Sequence, residues 1–343
     1  MAESGDRHHP GIVAHWTREG FAGDGAKVVR SHHTPDYKLV EGPHAPHRLR
    51  IHDLPVPDRE AADALPLPFM AARSGVQLSV SGRQKPMPFV VANVEADEMH
   101  FVQEGELLIE TDFGPINANP GDFVCIPRAV QYRVRPVRTP TLTLICEVPG
   151  AISLAPPDAA ACHVERPCVE RRQDPGGETV LLLKTGDGVT RYVKPHDPLA
   201  AMASQDGAVP VWKLDFPNNL AACGGPPRHF ASSPHNDVLL YNLSARPSGR
   251  RPPIHHNADY DELIYFFRGP GAYGSVTEPG MLTWVPKGVA HQGPSEDVPE
   301  GYVAWMIESR ATLRLTSAGV GVAELMELDT YGPQPASSSL ALD

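Results

Sequence analysis

Two histidines, a glutamate and a distant third histidine stand between residues 255 and 291: His255, His256, Glu262 and His291. Imidazole nitrogens and one carboxylate can grip one face of a divalent metal and leave its other positions open, the set that non-haem Fe(II) oxygenases use. Each imidazole is a neutral donor and the glutamate brings one negative charge. A bound dication therefore keeps a net positive charge that attracts an anionic substrate oxygen and O2. We assign His256, Glu262 and His291 as the ligands and Fe(II) as the cofactor, although His/His/Glu alone does not choose iron over Zn or Mn. His255 competes with His256 for the first place, because neighbouring strand residues face opposite ways and only one can point at the metal.

Such ligands need rigid strands to hold them. Leu263–Phe267 and Met281–Val285 are β-rich apolar runs. Gly269 and Gly280 bracket a hairpin-like connection containing Pro270, Gly271, Gly274 and Pro279. A hairpin there brings Glu262 near His291. The same punctuation occurs earlier in the chain. Glu98-x6-Gly105 repeats Glu262-x6-Gly269, and Pro120-Gly121-x5-Pro127 repeats Pro279-Gly280-x5-Pro286. This order indicates an internal duplication. In the first copy Asn93 stands where a histidine belongs and Gln131 lies near the place of the distal histidine, leaving Glu98 and His100. No metal is expected in that copy.

The chain has 343 residues, 41% of them hydrophobic, enough for two domains. Its 37 prolines are roughly double the usual share of about 5% and disfavour long helices. A formal charge of −11 argues against nucleic acid as a partner and for small molecules held at a local positive site. No apolar run is long enough to span a membrane, and no secretory core opens the chain. Cys125, Cys146, Cys162, Cys168 and Cys223 form no C-x-x-C pair, which suits reduced thiols in a cytoplasm. His8, His9, His32, His33, His44 and His47 lie in a Pro- and Gly-rich N-terminal stretch without a carboxylate at a ligand-like spacing, so they read as loop residues. His163 and His196 read as surface or hydrogen-bonded residues.

The two motifs around Glu262 and His291 resemble those of the cupin β-barrel superfamily, with Asn257 where many cupins carry a second motif histidine. They are more closely similar to the homogentisate 1,2-dioxygenase family, whose first metal histidine lies six residues before the glutamate and follows a Pro-Pro pair. Here these are Pro252-Pro253, His256 and Glu262. The resemblance continues at Ala304–Ser309, similar to the family's last barrel strand, and at 93–133. It implies an all-β bicupin: two double-stranded β-helix (jelly-roll) barrels with a loop-rich N-terminal arm. The divisions expected are an arm over 1–60, a barrel without metal over 61–150, a connector over 151–205, a catalytic barrel over 206–320 and a tail over 321–343. The resemblance also implies a homo-oligomer and a histidine acting as base toward substrate, which His229 matches with a one-residue shift and for which His235 is the alternative.

Departures from the family bear on the substrate. The chain is shorter, mostly between the barrels. The family has a histidine six residues before its distal ligand, and here that position is Val285; its tyrosine after the motif glycine is out of register with Tyr273. The reading is a cytoplasmic, Fe(II)-dependent ring-cleaving dioxygenase that uses O2 on homogentisate or a related hydroquinone, in the breakdown of an aromatic compound. Val285 moves the expected preference toward a ring with a less polar or differently placed substituent. Leu263, Trp284, Phe266 and Val285 are expected as pocket walls. The alternatives are a cupin oxygenase for another phenol, a Zn or Mn cupin isomerase or hydrolase, and a non-catalytic bicupin.

Overall fold

A computed structural model describes residues 11–19, 22–32, 39–155, 164–169, 172–200, 207–216, 227–244, 253–269, 276, 278–292 and 301–326. Within these the protein is built of β-strands, with one short helix, Ser317–Val322, and a few 3-10 turns. The all-β expectation holds. The residues of His8, His9, His33, Cys162, His163, Cys223, Pro252, Pro270, Gly271, Tyr273 and Gly274 lie outside the described ones.

The strands form three sheets. In the C-terminal part, Asp261–Arg268 pairs antiparallel with Met281–Val285 on one side and Val303–Ser309 on the other. A second, smaller sheet closes against it through Ile254–Asn257 and His291–Gln292. In the N-terminal part, the long strands Asp97–Thr111 and Tyr132–Val148 pair with each other along most of their length.

The two parts share several strand pairings in the same register. Glu98 faces Glu147 and Ile126 across its neighbouring strands, as Glu262 faces Glu308 and Val285. The carbonyl of Asn93 accepts from the Ala129 amide at 2.7 Å and that of Asn257 from the Gly288 amide at 2.7 Å. Asp97 accepts the amides of Arg128 and Ile152, and Asp261 those of Lys287 and Leu313. Each aspartate thus ties two loops to its strand, so both loops emerge at a set height above the barrel.

The motif glycines are required by backbone conformation. Gly269 has φ 79° and Gly280 φ 81°, where a side chain is strained. A Cβ at Gly269 would meet the Gly301 carbonyl, and one at Gly280 the His52 ring.

Asp261–Arg268 is buried on both faces, which is why it reads as a nearly continuous apolar run. Leu263, Tyr265 and Phe267 join a core shared with the N-terminal part, where Phe101, Phe123, Phe216, Phe230 and Trp305 interlock. Ile264 and Phe266 face the other way, into the C-terminal barrel with Met281, Ala304 and Met306. Tyr265 Oη donates to Gln103 Oε1 at 2.8 Å across the shared core.

The N-terminal arm is more ordered than a loop-rich segment. Ile12–Glu19 and Ala22–Arg30 form a hairpin whose first strand runs parallel to Ile254–Asn257. His47–Arg50 adds to the sheet of Met281–Val285. Going the other way, Trp212–Asp215 pairs with Asp122–Ile126 of the N-terminal part. These strands are polar enough to read as loop; remote pairing makes them strands.

Candidate metal centre

The hairpin Asp261–Arg268/Met281–Val285 and the short pair Ile254–Asn257/His291–Gln292 bring three donors together. The ligand atoms of His255, Glu262 and His291 all lie within 4.8 Å of one another, and all three residues are buried. Glu262 Oε2 is 3.4 Å from His291 Nε2 and 4.0 Å from His255 Nε2. Metal–ligand bonds of roughly 2.0–2.2 Å span gaps of this size. The His255 and His291 rings are 4.2 Å apart between centroids.

Both imidazoles are oriented by backbone. His255 Nδ1 lies 3.1 Å from the Pro253 carbonyl and His291 Nδ1 3.1 Å from that of Val289. With Nδ1–H donating, each Nε2 lone pair turns to the centre, the arrangement by which metal-bound histidines are normally held. Burial, with help from the neighbouring His291, pushes His255 down to about 3, so it is a neutral donor at ordinary pH. Burial also pulls His291 down, but the Glu262 carboxylate outweighs it and the net shift is upward. Burial would raise Glu262, and the two histidines more than reverse that. His291 Nε2 is buried and has no hydrogen-bond partner, and neither has either amide atom of Asn257 beside it. Two Nε2 atoms and a carboxylate converging in a buried pocket fit a cation.

The first histidine differs from the sequence expectation. His255, not His256, stands with Glu262 and His291. His255 is opposite His291 in an antiparallel pair and so shares its face; His256 points to the other face, in register with Trp16. It is only half-buried.

Register also corrects two of the expected walls. Val285 faces Glu262 and Phe266 lies on the Glu262 side of its strand, so both line the barrel interior. Leu263 and Trp284 face each other on the opposite side and belong to the core shared with the N-terminal part.

Glu308, not singled out in the sequence, and the candidate base His229 also lie on the interior face. Glu308 sits opposite Glu262. Burial and the Glu262 charge raise it to about 8, so it is mostly protonated at neutral pH, and Tyr241 hydrogen-bonds to it. Its only sequence signal is Glu147, its counterpart in the first repeat. His229 lies on Arg228–Ser232 opposite Tyr241, the rings 5.5 Å apart. Its Nε2 is 2.9 Å from the Ala231 carbonyl, which leaves Nδ1 free to accept a proton, and burial lowers its pKa. His235 is exposed in a 3-10 turn.

In the N-terminal repeat the positions corresponding to His255 and His291 are Val91 and Tyr132, which pair with each other. Asn93 and Gln131 are therefore not the replacements for the two imidazoles. Tyr132 Oη donates to Glu98 at 2.6 Å, His100 Nε2 lies 3.0 Å from it, and Asn93 bridges Glu98 and Glu147. Burial would raise Glu98, but His100, Lys184 and Tyr132 hold it well below the usual carboxylate range. A cavity of about 540 Å³ opens beside Asn93, Glu147 and Lys184, and Lys184 Nζ is already 2.5 Å from Glu147. Tyr132→Phe is expected to cost about 1–3 kcal/mol in urea unfolding, because a buried carboxylate loses a donor; an unchanged midpoint would show that the bond contributes nothing.

Residues 24–160 match the family model described as homogentisate 1,2-dioxygenase N-terminal. A homogentisate 1,2-dioxygenase of Bradyrhizobium diazoefficiens is 25% identical over 274 residues, covering 68% of this chain and 60% of that protein. Over these residues the chain is similar to homogentisate 1,2-dioxygenases. A second such relative, from Rhodopseudomonas palustris strain BisB18, is 29% identical over 65% of this chain and 58% of its own length. The chain therefore spans about three-fifths of these curated relatives. Among solved structures, a salicylate 1,2-dioxygenase from Pseudaminobacter salicylatoxidans aligns over 83% of this chain and 91% of its own, at 12% identity and a TM-score of 0.49. The family-model match ends before the metal-site residues, so the centre rests on its own geometry.

Proposed function

We propose that His255, Glu262 and His291 hold one Fe(II) and that the protein opens a dihydroxylated aromatic ring with O2. The observation that carries this reading is the convergence of two backbone-oriented imidazoles and one carboxylate in a buried pocket. The curated relatives support the reaction class, since they are named homogentisate 1,2-dioxygenases.

Iron bound there supplies a Lewis-acidic anchor for the ring oxygen and a path for electrons from ring to O2. The chain's own residues do the rest. Nδ1 of His229 takes the phenolic proton, a step that needs the neutral imidazole which its burial favours. A free phenol titrates near pKa 10, and a nearby cation brings this within reach of such a base. Val285, Phe266, Ile264 and Met306 make the interior apolar and keep water from the ring. Glu308, which burial and the Glu262 charge keep mostly protonated, adds no second negative charge beside Glu262 at neutral pH.

The test is anaerobic iron loading with elemental analysis, then oxygen uptake with homogentisate, gentisate, hydroquinone and alkyl hydroquinones. One iron per chain and uptake with at least one diphenol are expected. Iron bound at that ratio with no diphenol consumed would sink the reading. Zinc or manganese retained in preference, with no uptake, would favour the isomerase class. His229→Gln is expected to lower kcat by roughly 10²–10⁴-fold, the usual range for a lost general base, with iron content unchanged. Full activity in that variant would remove His229 from the mechanism.

A further inference from the structure

The N-terminal hairpin extends a row of basic side chains outward from the metal centre. Lys27 is opposite His15, His15 is aligned with His255, and His255 is opposite His291. Residues in register on neighbouring strands share a face. All four side chains therefore lie on the face that carries the donors. Exposure increases along the row: His255 and His291 are buried, His15 is half-buried and Lys27 is exposed. The hairpin's other contributions to this face are Val13, Thr17, Gly25 and Val29, and Glu19 at the end of the strand, where Arg310 Nη2 donates to its carboxylate at 2.6 Å. Lys27 and His15 are close enough to perturb each other electrostatically, as are His15 and His255. In a chain of formal charge −11, this is a local basic lane from solvent to the ligand pocket. Inside the pocket, by contrast, Val285 opposite Glu262 offers a polar substituent nothing to bond.

We propose that Lys27 and His15 form the subsite for an anionic substituent on the substrate ring, which then points to the N-terminal hairpin. The proposal rests on the ring-cleavage reading for the identity of the ring, but the anion subsite can be tested without turnover. Lys27 supplies the charge and His15 a ring N–H at shorter range. Hydrogen bonds to charged groups contribute more than neutral ones, of the order of a ten- to hundredfold change in affinity.

The experiment is equilibrium binding to the iron-loaded protein without oxygen, using homogentisate, gentisate and the uncharged methylhydroquinone. Wild-type protein is expected to bind at least one of the two acids more tightly than methylhydroquinone. Lys27→Met is expected to weaken that acid by roughly tenfold or more, Lys27→Glu by more still, and His15→Gln by less. Methylhydroquinone affinity and iron content should stay as they were, and Lys194→Met, far along the chain on another strand, should change neither. Equal weakening of acid and neutral ligand, no weakening of the acid, or no wild-type preference for an acid would each overturn the subsite. The two readings fail separately. Lys27-dependent acid binding without oxygen uptake keeps the subsite and removes the dioxygenase; oxygen uptake with Lys27-independent binding does the reverse.

Discussion

Replacing His255 with alanine is expected to strip the protein of its metal, while His256→Ala leaves most of it bound. His255 contributes one of three donors and is held in place by the Pro253 carbonyl. His256 lies on the opposite face of the same strand. Loss of an outer hydrogen-bond partner to a metal ligand already costs about 10–100-fold in affinity. Removing the ligand itself, or Glu262, is expected to cost more than about 100-fold. Chelator competition on freshly loaded protein measures this, with folding checked by circular dichroism. If His256→Ala loses the metal and His255→Ala keeps it, the strand Ile254–Asn257 is out by one residue, and the six-residue spacing to Glu262 is the correct guide. The outcome therefore separates a register from a motif.

Phe101→Ala is expected to destabilise the protein by about 3–5 kcal/mol, the usual cost of truncating a buried aromatic residue. The Phe101 ring is fully buried and lies 5.1 Å from Phe267 and 5.2 Å from Trp305, both of the C-terminal part, and 4.7 Å from Phe123 of its own. Little nearby can move into the void, because the neighbours are rings packed edge to face and tilted. Domain stabilities are about 5–15 kcal/mol, so the loss is a large share. Urea unfolding followed by tryptophan fluorescence reads it, since Trp305 sits in the same cluster. Val189→Ala, on an exposed strand, should stay within about 0.5 kcal/mol. A Phe101→Ala effect as small as that of Val189→Ala would mean that the shared core does not join the two parts.

The amino-acid sequence by itself determined the donor chemistry and the kind of scaffold. Histidine and glutamate between glycine-punctuated apolar runs specify strands, tight turns and a cation site, because residue type sets both ligand chemistry and backbone freedom. The duplication was legible for the same reason: Gly105 and Gly121 share positive φ with Gly269 and Gly280, and such positions leave a mark in any sequence. What the sequence could not settle was parity. Alternation says that His255 and His256 face opposite ways, but which of them faces inward depends on the partner strand, and His291 lies 36 residues on. The same holds for Leu263 and Trp284, apolar on either face of a strand buried on both sides. Val91 and Tyr132 were invisible as counterparts of the two histidines because neither is a ligand type, and only their pairing identifies them. Glu308 became a neighbour of Glu262, and His15 a neighbour of His255, through pairings between segments far apart in the chain. Local propensity reaches a few residues; a strand's register is set by the side chains of a distant strand, and that only the folded chain supplies.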